Sequence, residues 1–218
     1  MKAFALAGSV LFSVPPQASI PSADKIFESA LQNHERGLLE QAERGYRECL
    51  KVNPSYVSAY INLGNLLSSK GKSVEAETEY KTAIRLNPQS YDATYNLGAL
   101  YLSMARYDDA LKYFEKTVAL NRRHKSAWLN MATIYMRYYR TKAELGLWQS
   151  ARDSLMRAAE IDREYPHIYY NFGMLHEMKN EYGIARQYYR EALRLYSEKS
   201  PYYQKTIQRM QYLDTVLR

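Results

Sequence analysis

The sequence predicts an all-α fold, an α–α superhelix of about five helix–turn–helix repeats with a C-terminal capping helix. A unit of 34 residues recurs, opening with Tyr, Trp or Thr, followed three and four positions later by an apolar residue and by Gly or Ala. This signature occurs as Tyr60-x-x-Leu63-Gly64, Thr94-x-x-Leu97-Gly98, Trp128-x-x-Met131-Ala132 and Tyr169-x-x-Phe172-Gly173. Gly and Pro punctuate the chain regularly and β-rich runs are few, which favours helices over strands.

Residues 1–22 are predicted to be a leader outside the repeats. Lys2 precedes twelve mainly apolar residues, 3–14, which are followed by a double proline. This arrangement is typical of a weak secretory signal peptide, although a proline weakens the cleavage site. The alternative is a disordered leader or an edge segment that rests on the first repeat. The stretch is too short for an ordinary membrane-spanning helix. The expected location is the secretory pathway or periplasm if the leader is a signal peptide, and otherwise the cytoplasm.

Five repeats are predicted to follow, each a helix A and a helix B joined by a short turn. Their expected bounds are residues 23–56, 57–90, 91–124, 125–165 and 166–199. In the second repeat, Gly71 is expected at the turn because glycine adopts the left-handed conformation, and Pro88 ends helix B. Gly64 and Ala76 are small where the helices approach, and Tyr80 fills the space between them. The pattern resembles the tetratricopeptide repeat, a helix–turn–helix unit of this period.

The fourth repeat is longer than the others. Ala110 and Ala151 are 41 residues apart instead of 34, and the seven additional residues lie around positions 138–148. Seven residues are nearly two helical turns, so the simplest accommodation lengthens both helices and moves the turn outward. The resulting knob is expected to be aromatic and basic, with Trp148 near its base. Insertions in repeat arrays often serve binding, and a neutral elongation is the alternative.

Residues 200–218 are predicted to form the capping helix. Ser200 and Pro201 fit an N-cap residue followed by a proline at the first helical position. One apolar stripe is formed by Tyr203, Ile207, Met210, Leu213 and Leu217. Such a helix covers the stacking face that the last repeat would otherwise expose.

An asparagine recurs two positions after the residue that opens each signature. The four are Asn62, Asn96, Asn130 and Asn171, whereas the first repeat has Glu28 at this place. The segment 59–65, Ala-Tyr-Ile-Asn-Leu-Gly-Asn, is similar to the repeats of O-linked N-acetylglucosamine transferase. That resemblance implies that asparagines along the concave groove hold the backbone of an extended peptide. A carboxamide suits this role because it offers a donor and an acceptor without charge; the alternative is that it satisfies local backbone groups.

Helical spacing adds further candidates to the groove, since stacked A helices line the concave surface of such a superhelix. The predicted peptide-binding residues are Asn62, Asn65, Tyr95, Asn96, Asn130, Arg137, His167, Tyr170, Asn171 and Glu177. Another use of this repeat, the carboxylate clamp of Hsp70 and Hsp90 adaptors, is disfavoured. Ile61, Ser126 and Asn130 occupy the places of its three cations, so a peptide carboxylate would find no counter-charge.

The chain is predicted not to be an enzyme. It contains no P-loop, nucleophile elbow, HExxH or GxGxxG-type motif. The four histidines are scattered, and His167 and His176 are nine residues apart, a poor spacing for shared metal ligation. Cys49 stands where other repeats have Ala or Thr, which favours a packing residue over a reactive thiol. No cofactor and no metal site are therefore expected.

The net charge of +7 belongs to the second part of the chain. Residues 1–121 have 13 basic and 13 acidic side chains, whereas residues 122–218 have 17 and 10, together with 13 of the 22 tyrosines. This balance favours an acidic protein segment as partner near the C-terminal repeats, and nucleic acid less, because no recognition motif accompanies it. The alternative is an ordinary solvated surface.

These features predict a non-catalytic protein- or peptide-binding scaffold or adaptor that holds an extended segment in the concave groove. Its partner is expected to be a protein or peptide, with membrane contact only if the leader is retained. One alternative is an assembly module that forms a homo-oligomer through Tyr138, Tyr139 and Trp148 or through the C-terminal helix. Another is a substrate-recruiting fragment associated with a membrane or secretory-pathway glycosyltransferase.

Overall fold

The structure, a computed structural model, describes residues 21–217, and its regular elements are helices throughout this range. They are α1 Ala23–Glu35, α2 Leu39–Val52, α3 Val57–Ser69, α4 Ser73–Leu86, α5 Tyr91–Ser103, α6 Tyr107–Leu120, α7 Lys125–Lys142, α8 Leu145–Ile161, α9 Pro166–Glu177, α10 Tyr182–Leu195 and α11 Pro201–Val216. The all-α prediction is confirmed. The predicted leader, apart from its last two residues, lies outside the described range. The chain divides into two compact units, and the boundary between them follows Pro54.

The first unit contains the hairpin of α1 and α2, joined at Gly37, whose φ is 75°. Tyr46 is fully buried between the two helices, with its hydroxyl 3.2 Å from His34 Nδ1. The Cys49 thiol is also fully buried and donates to the carbonyl of Ala23 at 3.4 Å. Burial raises the pKa of this thiol, which keeps it protonated and unreactive. Cys49 is therefore a packing residue.

In the second unit, consecutive helices pack as hairpins because a glycine on one helix leaves room for the tyrosine ring of the next helix. A Cβ at Gly64 would lie 2.6 Å from the ring of Tyr80, and one at Gly173 would lie 2.5 Å from the ring of Tyr189. Both rings are almost completely buried. The glycines of the repeat signature thus set the distance between helix A and helix B.

The turns of these hairpins each place one residue in the left-handed conformation. Gly71 has a φ of 74°, so it adopts the left-handed conformation that the sequence predicts. Glycine adopts this conformation without strain because it has no Cβ. Ala105 and Asn180 occupy the equivalent positions with φ values of 57° and 59°. Asparagine tolerates this conformation better than alanine, so the turn at Ala105 is the more strained of the two.

The longer fourth repeat consists of two lengthened helices. α7 has 18 residues and α8 has 17, against 13 and 14 for α5 and α6. Trp148 is only 7% exposed, and its Nε1 donates to the carbonyl of Leu175 at 3.1 Å. Tyr138 donates to Asp108 Oδ1 at 2.6 Å. Trp148 thus belongs to the core between α8 and α9, which removes it from the surface that the assembly alternative needs.

Helix α11 covers α10 at the end of the described chain. Its N-cap is Ser200, whose hydroxyl accepts from the backbone N–H of Tyr202 at 3.3 Å. Leu213 is fully buried in a cluster with Tyr189 of α10, whereas Leu217 is half exposed and does not extend the predicted stripe. Within residues 21–217, no helix is both long and apolar enough to cross a bilayer.

Candidate functional site

A depression of about 450 Å³ lies in the second unit, where α5, α7, α9 and α11 present their side chains to a common space. The predicted residues that line it are Tyr95, Asn130, His167, Tyr170 and Asn171. Lys205 of α11 completes its wall, a residue that spacing within the repeats does not predict. Half of the predicted groove residues are thus brought together.

Two carboxamides in this depression retain free hydrogen-bonding capacity. Asn130 is half-buried, and its Nδ2 is 3.4 Å from the hydroxyl of Tyr95, a long hydrogen bond. Asn171 is half-buried and makes no side-chain hydrogen bond to any residue in the described range. Each amide therefore offers donor and acceptor positions to a guest in the depression.

The other three asparagines serve contacts within the protein. Asn62 Nδ2 donates to the carbonyl of Ser58 at 3.0 Å, one turn back in its own helix. Asn65 Oδ1 accepts from Asn96 Nδ2 at 3.0 Å and from the hydroxyl of Tyr80 at 2.7 Å. Asn65 thereby joins α3, α4 and α5. None of the three lines the depression, which therefore contains two of the four equivalent asparagines.

Arg137 and Glu177, the last two predicted residues, lie in adjoining depressions of about 360 and 190 Å³. Met174 lines both of these and the first depression, so the three form one continuous surface, which we call the cleft. Arg137 lies over the ring of Tyr107 at 4.5 Å. Glu177 is occupied internally, because it accepts from Arg209 Nη1 at 2.9 Å and from the Tyr189 hydroxyl at 2.7 Å. Its role is to hold α9, α10 and α11 together.

His167 is enclosed by aromatic rings at one end of the cleft. Its ring stacks on Tyr165 at 5.0 Å and meets Tyr202 edge-on at 4.4 Å. Burial lowers the pKa of His167, and Lys125 lowers it further, so the imidazole is neutral at pH 7. Its Nδ1 is buried without a hydrogen-bond partner in the described residues. A neutral histidine in this setting shapes the wall of the cleft and adds no charge to it.

The Tyr170 hydroxyl, also predicted for the groove, is a buried polar group without a hydrogen bond in the described range. Arg209 lies near it, but not in hydrogen-bonding geometry. The residue is 3% exposed, so its ring acts mainly as packing between α9 and α10.

The apolar floor of the cleft is a feature that the repeat pattern does not predict. Met136, Met174 and Met178 provide it together with Leu102. Methionine side chains are flexible and adapt to ligands of different shape. The available signal was the spacing of Met174 and Met178, four residues apart on one helix face.

A depression of about 620 Å³ lies elsewhere, between α6, α7 and α8. Trp128 lines it, with its Nε1 donating to the carbonyl of Arg122 at 3.0 Å. Arg157 in the wall of this depression forms an ion pair with Glu160 at 2.9 Å, so part of the positive charge of the depression is neutralised within the protein. This depression contains none of the predicted groove residues.

Within residues 21–217, no cluster of three His, Cys, Asp or Glu side chains is arranged to hold a metal ion.

Family models match this chain over most of its repeats. A TPR repeat model matches residues 64–104, and tetratricopeptide repeat models match residues 46–78, 91–124 and 166–199. Together they cover more than half of the 218 residues. A search of curated proteins found no match. These matches do not show the similarity to the repeats of O-linked N-acetylglucosamine transferase.

Solved structures with the same fold have low sequence identity to the chain. Pseudomonas aeruginosa pilF is 19% identical, with a TM-score of 0.74, over 89% of this chain and 84% of pilF. MamA from Desulfovibrio magneticus RS-1 is 21% identical, with a TM-score of 0.69, over 82% and 97% of the two chains. YrrB, described as a TPR protein with an unusual peptide-binding site, is 20% identical, with a TM-score of 0.67, over 89% and 92%. From the repeat models and the helical hairpins together, the chain is a member of the tetratricopeptide repeat family.

Proposed function

We propose that this protein is a non-catalytic adaptor that holds an extended segment of a partner protein in the cleft formed by α5, α7, α9 and α11. The observation that carries the proposal is the position of Asn130 and Asn171. Both line the same depression and both keep polar atoms available there.

The chemistry of an amide suits the backbone of an extended chain. A peptide unit presents one N–H and one C=O, and a carboxamide binds either without regard to the neighbouring side chains. The ring of Tyr95 beside Asn130 supplies apolar contact area at low entropic cost. The proposal is narrower than the sequence-based prediction, since it rests on two asparagines instead of four.

The comparisons with known proteins support protein or peptide binding as the class of function. Tetratricopeptide repeats form protein-interaction scaffolds, and YrrB has a peptide-binding site on the same fold. They provide no support for the alternative of a fragment that recruits substrates for a glycosyltransferase. The assembly alternative is weakened by the burial of Trp148.

The test uses the full chain and a phage-displayed library of random 12-residue peptides. Peptides selected on the unaltered protein should bind the Asn130→Ala/Asn171→Ala variant about thirtyfold more weakly in fluorescence anisotropy, because two lost hydrogen bonds at roughly 1 kcal/mol each amount to roughly 2 kcal/mol. The matched control is Gln149→Ala/Gln187→Ala, which removes two exposed carboxamides from α8 and α10. Its affinity should not change.

Two further results decide the matter. N-methylation of main-chain amides in a selected peptide should weaken binding more than alanine substitution of most of its side chains. Circular dichroism should show that both double variants melt as the unaltered protein does. If the asparagine variant binds the selected peptides with unchanged affinity, the proposal is wrong.

A further inference from the structure

The cleft has an excess of positive charge. Arg137, Arg140, Arg209 and Lys205 line it, and Glu177 is the sole carboxylate among its lining residues. Glu177 is already bound by Arg209 at 2.9 Å. Arg137, Arg140 and Lys205 make no ion pair within residues 21–217 and are exposed. Three cations thus border the cleft without a carboxylate partner.

Charges on the B helices of the same repeats are arranged differently. Four arginines of α8 and α10 have carboxylate partners at 2.6 to 2.9 Å: Arg152–Asp153, Arg157–Glu160, Arg186–Asp214 and Arg194–Glu191. These four arginines are neutralised within the protein, whereas, among the described residues, Arg137, Arg140 and Lys205 are not. A surface of one sign attracts a partner of the opposite sign and sets its register.

The cations surround an apolar floor. Arg137 and Arg140 border the depression that Met136, Met174 and Met178 line. An apolar side chain placed on these methionines would leave water, and acidic residues before and after it would reach the two guanidinium groups. Lys205 lines the other depression of the cleft, which Asn130 and Asn171 also line.

We infer that the occupant of the cleft is an acidic, extended segment of a partner protein with one large apolar side chain, an inference that rests on the proposed function. The carboxylates contact Arg137, Arg140 and Lys205, and the apolar side chain contacts the methionine floor. Residues 1–20 of the chain itself do not fit, because they contain no Asp or Glu. Nucleic acid fits less well, since the rings at His167 pack against one another and leave few free faces for bases.

The experiment compares two fluorescein-labelled peptides on the full chain by anisotropy. One is Gly-Asp-Glu-Asp-Leu-Asp-Glu-Asp-Gly, and the other has Asn and Gln in place of Asp and Glu. The acidic peptide should bind about tenfold more tightly, and this advantage should shrink as NaCl is raised, because exposed ion pairs are modest and screened. In the variant Arg137→Gln/Arg140→Gln/Lys205→Gln, the two peptides should bind equally. The control Arg122→Gln/Arg123→Gln/Arg190→Gln removes three exposed cations outside the cleft and should keep the preference.

The outcomes separate this inference from the proposed function. If the two peptides bind equally well, and the binding of both is lost in Asn130→Ala/Asn171→Ala, the acidic preference is wrong and the proposed adaptor function is retained. Loss of the preference in the control as well as in the cleft variant also overturns it. A dT12 oligonucleotide that binds more tightly than the acidic peptide, through the same three cations, makes the occupant a nucleic acid. If neither peptide binds and the displayed library yields no binder, both proposals are wrong.

Discussion

The substitution Gly173→Ala should destabilise the second unit, although alanine is the better helix former. Gly173 lies in α9, where the ring of Tyr189 from α10 covers its backbone. A Cβ at this position would be 2.5 Å from Tyr189 Cε1, 2.6 Å from Cδ1 and 2.8 Å from Cζ. Carbon atoms in contact prefer about 3.5–4.0 Å, so the ring would have to move by about 1 Å. It has little room, because Tyr189 is fully buried and donates to Glu177 at 2.7 Å.

The expected magnitude is the difference of two effects. Overpacking a well-packed core costs about 1–3 kcal/mol, and replacing glycine by alanine within a helix returns about 1 kcal/mol. The difference is about 0–2 kcal/mol. Because the buried ring of Tyr189 has little room to move, the net loss in the free energy of unfolding for Gly173→Ala should lie in the upper half of this range, about 1–2 kcal/mol. Gly183 of α10 is the matched control, since a Cβ there has no atom within 4 Å. Gly183→Ala should be stabilising by up to about 1 kcal/mol.

The assay is urea unfolding of the full chain, followed by far-UV circular dichroism for both variants and the unaltered protein. Opposite shifts of the two urea midpoints support the packing argument. If Gly173→Ala unfolds at the same urea concentration as the unaltered protein or higher, the contact between Gly173 and Tyr189 does not limit the approach of α9 and α10.

Three other perturbations test separate contacts. Trp148→Phe removes the buried hydrogen bond to the Leu175 carbonyl and should lower the free energy of unfolding by about 1–3 kcal/mol in urea titrations. Burial lowers the pKa of His124, whose neutral Nδ1 caps α7 by accepting from the Ala127 amide at 3.2 Å. At position 124 the unfolded chain therefore binds a proton more readily than the folded protein does. The free energy of unfolding should fall as the pH drops from about 6.5, the ordinary pKa of histidine, through the lowered pKa of His124 in the folded state. His124→Asn should reduce this loss of stability between pH 7.5 and 5. Ellman's reagent at pH 8 should leave the buried Cys49 unmodified in the folded protein and react with it in 6 M guanidinium chloride.

The hairpins are predictable because their main contacts lie within one repeat. Gly64 and Tyr80, like Gly173 and Tyr189, are sixteen residues apart and meet across a single short turn. The turn at Gly71 follows in the same way from its left-handed conformation. Helix periodicity and one glycine suffice to place these groups.

The candidate site is less predictable from spacing. Equal positions in the repeat imply equal roles for the asparagines, yet Asn96 bonds to Asn65, whereas Asn171 lies open in the cleft. Helical spacing predicts Glu177 at the groove surface, while in the structure Glu177 is bound to Arg209, 32 residues away. Asn65 belongs to a different repeat from Asn96, and Arg209 belongs to α11, so the pattern within one repeat does not predict these two contacts.

The sequence alone determines the fold class, the helical repeat, the short turns and the absence of known catalytic motifs. Tertiary structure decides which amides remain free and which cations lack partners, and it buries Trp148 against α9. The physical reason is that helix geometry orients a side chain relative to its own axis. The distance to the next repeat depends on every side chain packed between them, and that distance decides whether an amide binds its neighbour or remains open to a guest.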